Sequence, residues 1–160
     1  MSSTRPYRKT DKKQLNRLAL EAFAQYQDYY TDWPAIKKII GNMADLENIT
    51  EIIVVEESGT IIGGVAFAPP SSQPKKDFDS STASIRMLVV SPSQRNRGIG
   101  KKLTMECIDR AKDLGAKKIC LHTSPIMKVA LSMYLRIGFK KIKDIEQICG
   151  VDYSVYALNI

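Results

Sequence analysis

A mixed α/β sheet packed on both faces by helices is the fold class this sequence predicts, and three observations predict it. Short strand-like runs alternate along the chain with segments of helical period instead of segregating into one half. Turn signals at Glu57-Ser58-Gly59 and Cys149-Gly150 join neighbouring strand-like runs as hairpins. An apolar run ending at Val90 passes through Ser91-Pro92 and a glycine-bearing loop directly into an amphipathic helix.

The elements follow in order. Residues 4–9 read as a first strand. A helix opens at Thr10 or Asp11 and carries Leu15, Leu18, Ala19, Ala22 and Phe23 on one apolar stripe. It runs into Tyr26, Tyr29, Tyr30 and Trp33, the densest aromatic cluster in the chain, which either lines a pocket or plugs a joint between helices. Pro34 suits the first turn of a second helix bearing Ile36, Ile39, Ile40 and Met43. Residues 51–56 and 60–68 read as paired strands. Residues 69–84 are polar, contain Pro69, Pro70 and Pro74, and read as a long loop of the mobile or functional kind. Residues 85–90 form the strand that feeds the glycine loop. The helix after it places Ile99, Leu103, Cys107, Ala111 and Leu114 on one face and stops at Gly115. Residues 118–122 are a short strand. A last helix bears Met127, Ala130, Leu131, Tyr134 and Leu135 and is stopped by Gly138. Residues 139–147 and 151–158 close the chain as a hairpin. With no internal repeat, the expectation is one domain over residues 1–160.

Composition bounds the function. At 44% hydrophobic and 26% charged residues the chain has an ordinary globular balance. No apolar run approaches the ~20 residues of a membrane helix, and no apolar leader follows the basic N-terminus. Cys107, Cys120 and Cys149 are odd in number and widely spaced, which suits reduced thiols in a cytoplasmic protein and gives no metal-ligand pattern. The net charge of +7 has a local explanation. Arg95, Arg97, Lys101 and Lys102 surround the glycine loop, and Lys117, Lys118, Lys140, Lys141 and Lys143 follow in the C-terminal half, a field suited to a polyanionic ligand. No nucleic-acid-binding motif supports the alternative reading of that charge.

Strand, glycine loop and helix start together build an anion site. The first amides of a helix lack intrahelical partners and sit at the positive end of its dipole, and glycines let a phosphate approach the backbone. A Walker loop is excluded, because Arg95 stands where its first glycine belongs and Lys102 where Ser or Thr belongs. A dinucleotide fingerprint is excluded because Leu103 stands where its third small residue belongs.

The pattern that fits is R-x-x-G-x-G, read as Arg95-Asn96-Arg97-Gly98-Ile99-Gly100. It resembles the acyl-CoA-binding motif of the GNAT superfamily of N-acetyltransferases. About thirty residues later, Ala130 to Phe139 resembles the second motif of that family, A-x-x-x-Y-x-x-x-G-F. The motifs and their flanks cover roughly residues 85–139, and the element order extends the resemblance over nearly the whole chain. One departure is Met127, where many members carry Asn three residues before the motif alanine.

The resemblance implies a mostly antiparallel central sheet of about six to seven strands with about four helices. It also implies direct acetyl transfer from acetyl-CoA to an amine, without a metal. The strand ending Leu88-Val89-Val90 is expected to splay from its neighbour, pair with the pantetheine and offer an amide near Val89 to the thioester carbonyl. Amides of Arg95, Asn96, Arg97, Gly98, Ile99, Gly100 and Lys101 are expected to cradle the pyrophosphate. Tyr134 is expected to protonate the departing thiolate, although its place on the apolar stripe also suits a packing role.

A general base is harder to assign. Some members of the family place a glutamate on the strand before the glycine loop, and residues 84–90 contain no carboxylate. Glu21, Glu56, Asp77, Asp79 and Glu146 are the candidates, and each also reads as a solvated surface charge. His122, the sole histidine, reads more readily as a structural residue than as the base. The expected acceptor is a primary amine of a small molecule. A protein N-terminus or lysine, and a non-catalytic acyl-CoA sensor, are the alternatives. A nucleic-acid or membrane partner is not expected, and a homodimer is left open.

Overall fold

A computed structural model describes residues 2–70 and 79–160. Seven strands form one sheet: β1 (Ser3–Pro6), β2 (Glu51–Glu57), β3 (Thr60–Ala68), β4 (Thr82–Val90), β5 (Lys118–Thr123), β6 (Lys140–Ile148) and β7 (Val151–Asn159). Four α-helices lie among the described residues: α1 (Lys12–Phe23), α2 (Trp33–Ile40), α3 (Ile99–Asp113) and α4 (Lys128–Ile137). The strand order is β1-β2-β3-β4-β5-β7-β6. Every neighbouring pair is antiparallel except β4 with β5.

Adjacent residues of a strand point to opposite faces, and the glycine pair on β3 shows what each face holds. A Cβ on Gly63 would lie 2.8 Å from Cγ2 of Ile99 and 3.3 Å from Cδ1 of Leu103, so α3 packs directly on this backbone. A Cβ on Gly64 would lie 2.8 Å from Cδ1 of Leu15, so α1 does the same from the other side. Two apolar clusters result. One joins Val65, Phe67, Ile85, Leu103, Cys107, Ile119, Leu121, Tyr134 and Phe139 beneath α3 and α4. The other joins Leu15, Leu18, Ala19, Ile36, Met43, Val54, Ala66 and Val89 beneath α1 and α2.

The parallel pair is short. β4 and β5 are in register from Thr82 opposite Lys118 to Ile85 opposite Leu121, and pairing stops there. At the same point the β3–β4 ladder shifts: Ala66 faces Met87 and Phe67 faces Ile85, so Arg86 is the extra residue of a bulge. A bulge bends its strand and strengthens the local twist, here at the point where pairing with β5 ends. Beyond Ile85, β4 keeps its partner β3, while among the described residues no strand pairs with its other edge.

Several expected spans move. β1 ends at Pro6, short of residue 9. β4 begins at Thr82, because Thr82 and Ser84 are buried polar residues that read as loop in the sequence. Most of the loop expected at 69–84, with the candidate base Asp77, lies outside the described residues. The second helix ends at Ile40, leaving Met43 in a following 3₁₀ turn and Ile39 exposed. On α4 the buried residue is Tyr134, while Leu135 is 51% exposed and does not belong to the apolar stripe.

Candidate active site

The loop after β4 is built for its conformation. The Ser91 amide donates to the Ile62 carbonyl (2.9 Å), holding the start of the loop to β3. Asn96 and Gly98 both adopt positive φ, 65° and 74°, a region natural to glycine and tolerated by asparagine. Helix α3 then begins at Ile99, and its first i-to-i−4 bond runs from the Lys102 amide to the Gly98 carbonyl (2.9 Å). The amides of the helix's first turn therefore face out of the helix unpaired within it, at the positive end of a 15-residue dipole.

The space in front of that turn is clear. A Cβ on Gly98 would meet nothing within 4 Å. A Cβ on Gly100 would lie 3.7 Å from Sδ of Met133, 3.8 Å from Cγ2 of Val90 and 3.9 Å from Cδ2 of Leu88. Gly100 thus marks the place where α3, the end of β4 and α4 converge. The missing side chain leaves a cradle between them, walled by half-buried apolar groups.

The expected cofactor-binding residues divide by what their side chains do. Ile99 and Val89 are buried in opposite clusters, so their side chains are spent in the core. Leu88 and Val90 lie half-buried against the α3–α4 cluster. Arg97 spends its guanidinium on Glu57 at the β2–β3 turn, with Nη2 2.7 Å from Oε2, and also bonds Gln94. The Arg97 cation holds the Glu57 carboxyl below its ordinary value. Arg97 therefore fixes the loop to the sheet. Arg95 turns the other way, its Nη2 3.5 Å from the Ala22 carbonyl near the end of α1. Lys101 is exposed on the first turn of α3.

Tyr134 lies near the C-terminus of α4 and is 5% exposed. Its carbonyl accepts from the amides of Gly138 (3.2 Å) and Phe139 (3.0 Å), and its ring packs edge-on against Phe139 at 5.6 Å. Gly138 has a φ of 121°, which lets the chain turn out of the helix. The Y-x-x-x-G-F spacing is thus also a helix-terminating device that seats this ring. Burial pushes the Tyr134 phenol up, so it is protonated across the physiological range.

An aromatic wall is assembled from distant parts of the chain. The hydroxyls of Tyr30 and Tyr153 are hydrogen-bonded to each other. The Thr31 amide donates to the Cys149 carbonyl (2.8 Å), and a Cβ on Gly150 would lie 2.6 Å from Cγ2 of Thr31. The β6–β7 turn is therefore seated directly on the segment before α2. Tyr26 and Trp33 pack around this joint. Burial raises the phenols of Tyr26, Tyr30 and Tyr153, and Tyr26 lies within electrostatic reach of Arg95, Tyr134 and Tyr153. Tyr153, Thr31 and the Cys149–Gly150 contact escape sequence reading, because the turn signal at Gly150 says nothing about what the turn touches.

Two of the five carboxylates offered as bases are committed elsewhere. Glu56 pairs with Arg5 (3.0 Å). Asp79 accepts from the Ser81 amide, the Ser81 hydroxyl and the Thr82 hydroxyl. Glu21 and Glu146 are exposed. His122 lies half-buried on β5, opposite Val155. Among the described residues, no group of three His, Cys, Asp or Glu side chains is arranged to hold a metal, and no helix is long and apolar enough to cross a membrane.

Comparison with known proteins agrees with this geometry. An uncharacterized N-acetyltransferase, YjgM, of Escherichia coli K12 is 29% identical over 89 residues, covering 56% of this chain and 50% of that protein. A probable N-acetyltransferase, camello, of Xenopus tropicalis is 34% identical over 88 residues, covering 55% of this chain and 37% of that protein. The matched stretch thus spans half or less of these curated relatives. A GNAT family acetyltransferase from Brucella melitensis, solved in complex with acetyl-CoA, superposes with a TM-score of 0.71 at 21% identity, covering 99% of this chain and 88% of that one. The profile of the acetyltransferase (GNAT) family matches residues 13–139, a stretch that takes in all but the first residue of α1, the glycine loop, Tyr134 and Phe139. On that match the chain belongs to the acetyltransferase (GNAT) family.

Proposed function

We propose that this chain transfers an acetyl group from acetyl-CoA directly to the primary amine of a small molecule. The observation that carries the reading is the end of β4–β5 pairing at Ile85, immediately ahead of a glycine loop and the open first turn of α3. A cleft between two strands thereby leads to an anion-binding helix start. Gly100 lies on that path, and its lack of a side chain keeps the backbone open to a ligand beside Leu88, Val90 and Met133.

Within this reading the backbone of Leu88, Val89 and Val90 pairs with the pantetheine along the edge of β4 that β5 leaves open. The amides of Arg95 to Lys101 hold the pyrophosphate, with Gly98 and Gly100 giving it access. Bound acetyl-CoA supplies the acetyl group as a thioester, whose C–S bond breaks as the acceptor nitrogen forms a C–N bond. An amide near Val89 stabilises charge on the carbonyl oxygen. Tyr134 gives its hydroxyl proton to the leaving sulfur, and the proton lost by the amine passes to solvent. The wall of Tyr26, Tyr30, Trp33 and Tyr153 faces the acceptor. The free state of Cys107, Cys120 and Cys149 supports a cytoplasmic protein, and the sharing of one sheet by both clusters supports one domain.

Thermal melts with acetyl-CoA, CoA and NAD, followed by acetyl-CoA turnover across small amines and peptides, test this. Ligand at a hundred times Kd is expected to add about 2.7 kcal/mol of stability for either CoA species. A shift with NAD and none with CoA or acetyl-CoA would overturn the reading. Turnover of peptides alone would replace the small-molecule acceptor with a protein one.

A further inference from the structure

We propose that Arg86 is the anchor for an anionic group on the acceptor, and that the acceptor is a small amine carrying a carboxylate, of the α-amino-acid type. The inference rests on the acetyltransferase reading and deepens it by naming the substrate class.

Arg86 occupies the bulge of β4, the first position after the last β4–β5 pair. It therefore stands where the cleft opens. Val89 is three residues further on, about 10 Å along an extended strand. The Arg86 side chain folds back on its own strand, with Nε donating to the Ser84 hydroxyl at 2.9 Å. That bond places Arg86 on the Ser84 face. In register, Ser84 faces Cys120, Cys120 faces Ala157, and His122 faces Val155. Tyr153 is two residues from Val155 on the same strand, so it shares this face. Arg86 and the tyrosine wall thus lie on one face of the sheet, on either side of the opening.

The surroundings of the guanidinium are unusual. Arg86 is half-buried, and its loss of water lowers its pKa. Among the described residues no carboxylate pairs with it, whereas Arg5, Arg97 and Arg110 all hold carboxylates at 2.7–3.0 Å. A partly desolvated cation is costly unless an anion meets it. With Nε taken by Ser84, the two Nη groups remain as a planar fork, which matches a carboxylate in a bidentate pair.

The same residue explains how the site manages without a strand carboxylate as base. A lysine-type amine, pKa ~10.4, is about one part in 2,500 free base at pH 7. In an α-amino acid the neighbouring carboxylate helps to keep the ammonium charged. Pairing that carboxylate with Arg86 cancels its field, and the cation itself disfavours a second positive charge nearby. A protein lysine, with its amine four methylenes from the backbone, brings no carboxylate to the fork.

The test uses the full chain with L-methionine and L-phenylalanine against their carboxamides, which keep the amine and remove the anion. Acetylation is followed as kcat/KM, and binding by calorimetry with CoA present. Wild type is expected to favour each acid over its amide by on the order of 10–100-fold, as expected for a hydrogen-bonded charge pair. Arg86→Gln is expected to bring that ratio close to one, and Arg86→Lys to retain part of it. Circular dichroism and acetyl-CoA affinity serve as the controls for folding. Equal treatment of acid and amide by wild type, a preference that survives Arg86→Gln, binding of neither amino acid, or faster turnover of a peptide N-terminus would each overturn the inference. Arg86-dependent binding of the acids without acetylation would support the anchor while overturning the transferase reading. Acetylation of amines irrespective of an acid group would leave that reading standing and remove the anchor.

Discussion

At the scale of single residues, Tyr134 carries the sharpest question, because one side chain serves two ends. Its ring fills the cluster beneath α4 and packs on Phe139, and its carbonyl closes the helix. The motif spacing made the residue legible, but not the fact that three of its interactions are structural. Burial keeps the hydroxyl protonated, which is the form a donor needs, yet a raised pKa makes transfer to a thiolate of ~8.5 more uphill. Donation is therefore expected to be concerted with C–S cleavage. Tyr134→Phe preserves the ring and the backbone bonds while deleting the proton. We expect single-turnover rates to fall by about 10²–10⁴-fold, with acetyl-CoA affinity changed by no more than about threefold. A phenylalanine variant as fast as wild type in single turnover would leave Tyr134 a packing residue only. Val89 and Ile99 teach a related lesson. Both belong to the proposed cofactor site by position, and both bury their side chains, so substitutions there report on the core first.

At the scale of elements, the start of α3 depends on glycines that do different work. The periodicity of Ile99, Leu103, Cys107 and Ala111 was readable because all four face one sheet. The close packing of the helix start on the sheet was not, since it depends on Gly63 of β3, thirty-six residues before Ile99. The first residues of β4 were missed for a comparable reason: Thr82 and Ser84 are polar yet buried, satisfied by Asp79 and Arg86. The bulge at Arg86 and the short parallel pairing of β4 with β5 were missed as well, because neither leaves a periodic signal. Two substitutions separate the glycine roles. Gly98→Val forces a β-branched residue into a φ of 74°, although its Cβ meets no atom beyond its chain neighbours within 4 Å. It is expected to fold, as judged by circular dichroism, and to lose detectable CoA affinity. Gly63→Ala never faces the ligand, but its Cβ falls 2.8 Å from Cγ2 of Ile99 and is expected to displace that side chain and the start of α3 with it. Overpacking of this kind costs about 1–3 kcal/mol, and the displaced helix start should weaken CoA binding as well. An alanine variant with unchanged melting temperature and unchanged CoA affinity would show that α3 is not held by this contact.

At the scale of the whole molecule, helix α1 is tied at both ends, and the two ties answer to different parts of the chain. Near its C-terminus the Ala22 carbonyl meets Arg95 of the glycine loop. At its N-terminus Asp11 is gripped by Arg5 of β1 through bonds of 2.8 and 2.9 Å and accepts the Arg8 amide at 2.8 Å, while Arg5 also reaches Glu56 of β2. Hairpin signals made β2–β3 and β6–β7 legible in the sequence. These long-range ties were not, nor was the insertion of β7 between β5 and β6, because each joins residues far apart in sequence. The Arg5 tie has a consequence for acid stability. The Arg5 guanidinium, followed by the Arg8 amide, holds the Asp11 carboxyl below its ordinary value against the opposing effect of burial. A carboxylate depressed in the folded state contributes stability that is fully present above its unfolded pKa of ~3.9 and is lost as pH falls through the lower folded value. Urea melts between pH 7 and pH 2.5 should therefore show stability falling from about pH 4 downward, with Asp11 contributing to the slope. In Arg5→Ala the carboxylate is left buried without its cation, which costs about 3–5 kcal/mol where a paired charge is stranded. Burial then dominates its titration and drives the folded pKa upward, so Asp11 no longer adds to the acid loss, and protonation relieves part of the variant's defect. The wild-type and variant stabilities should converge as the pH drops. Parallel curves, with the same gap at pH 3 as at pH 7, would show that the Arg5–Asp11 pair holds α1 by shape and not by charge.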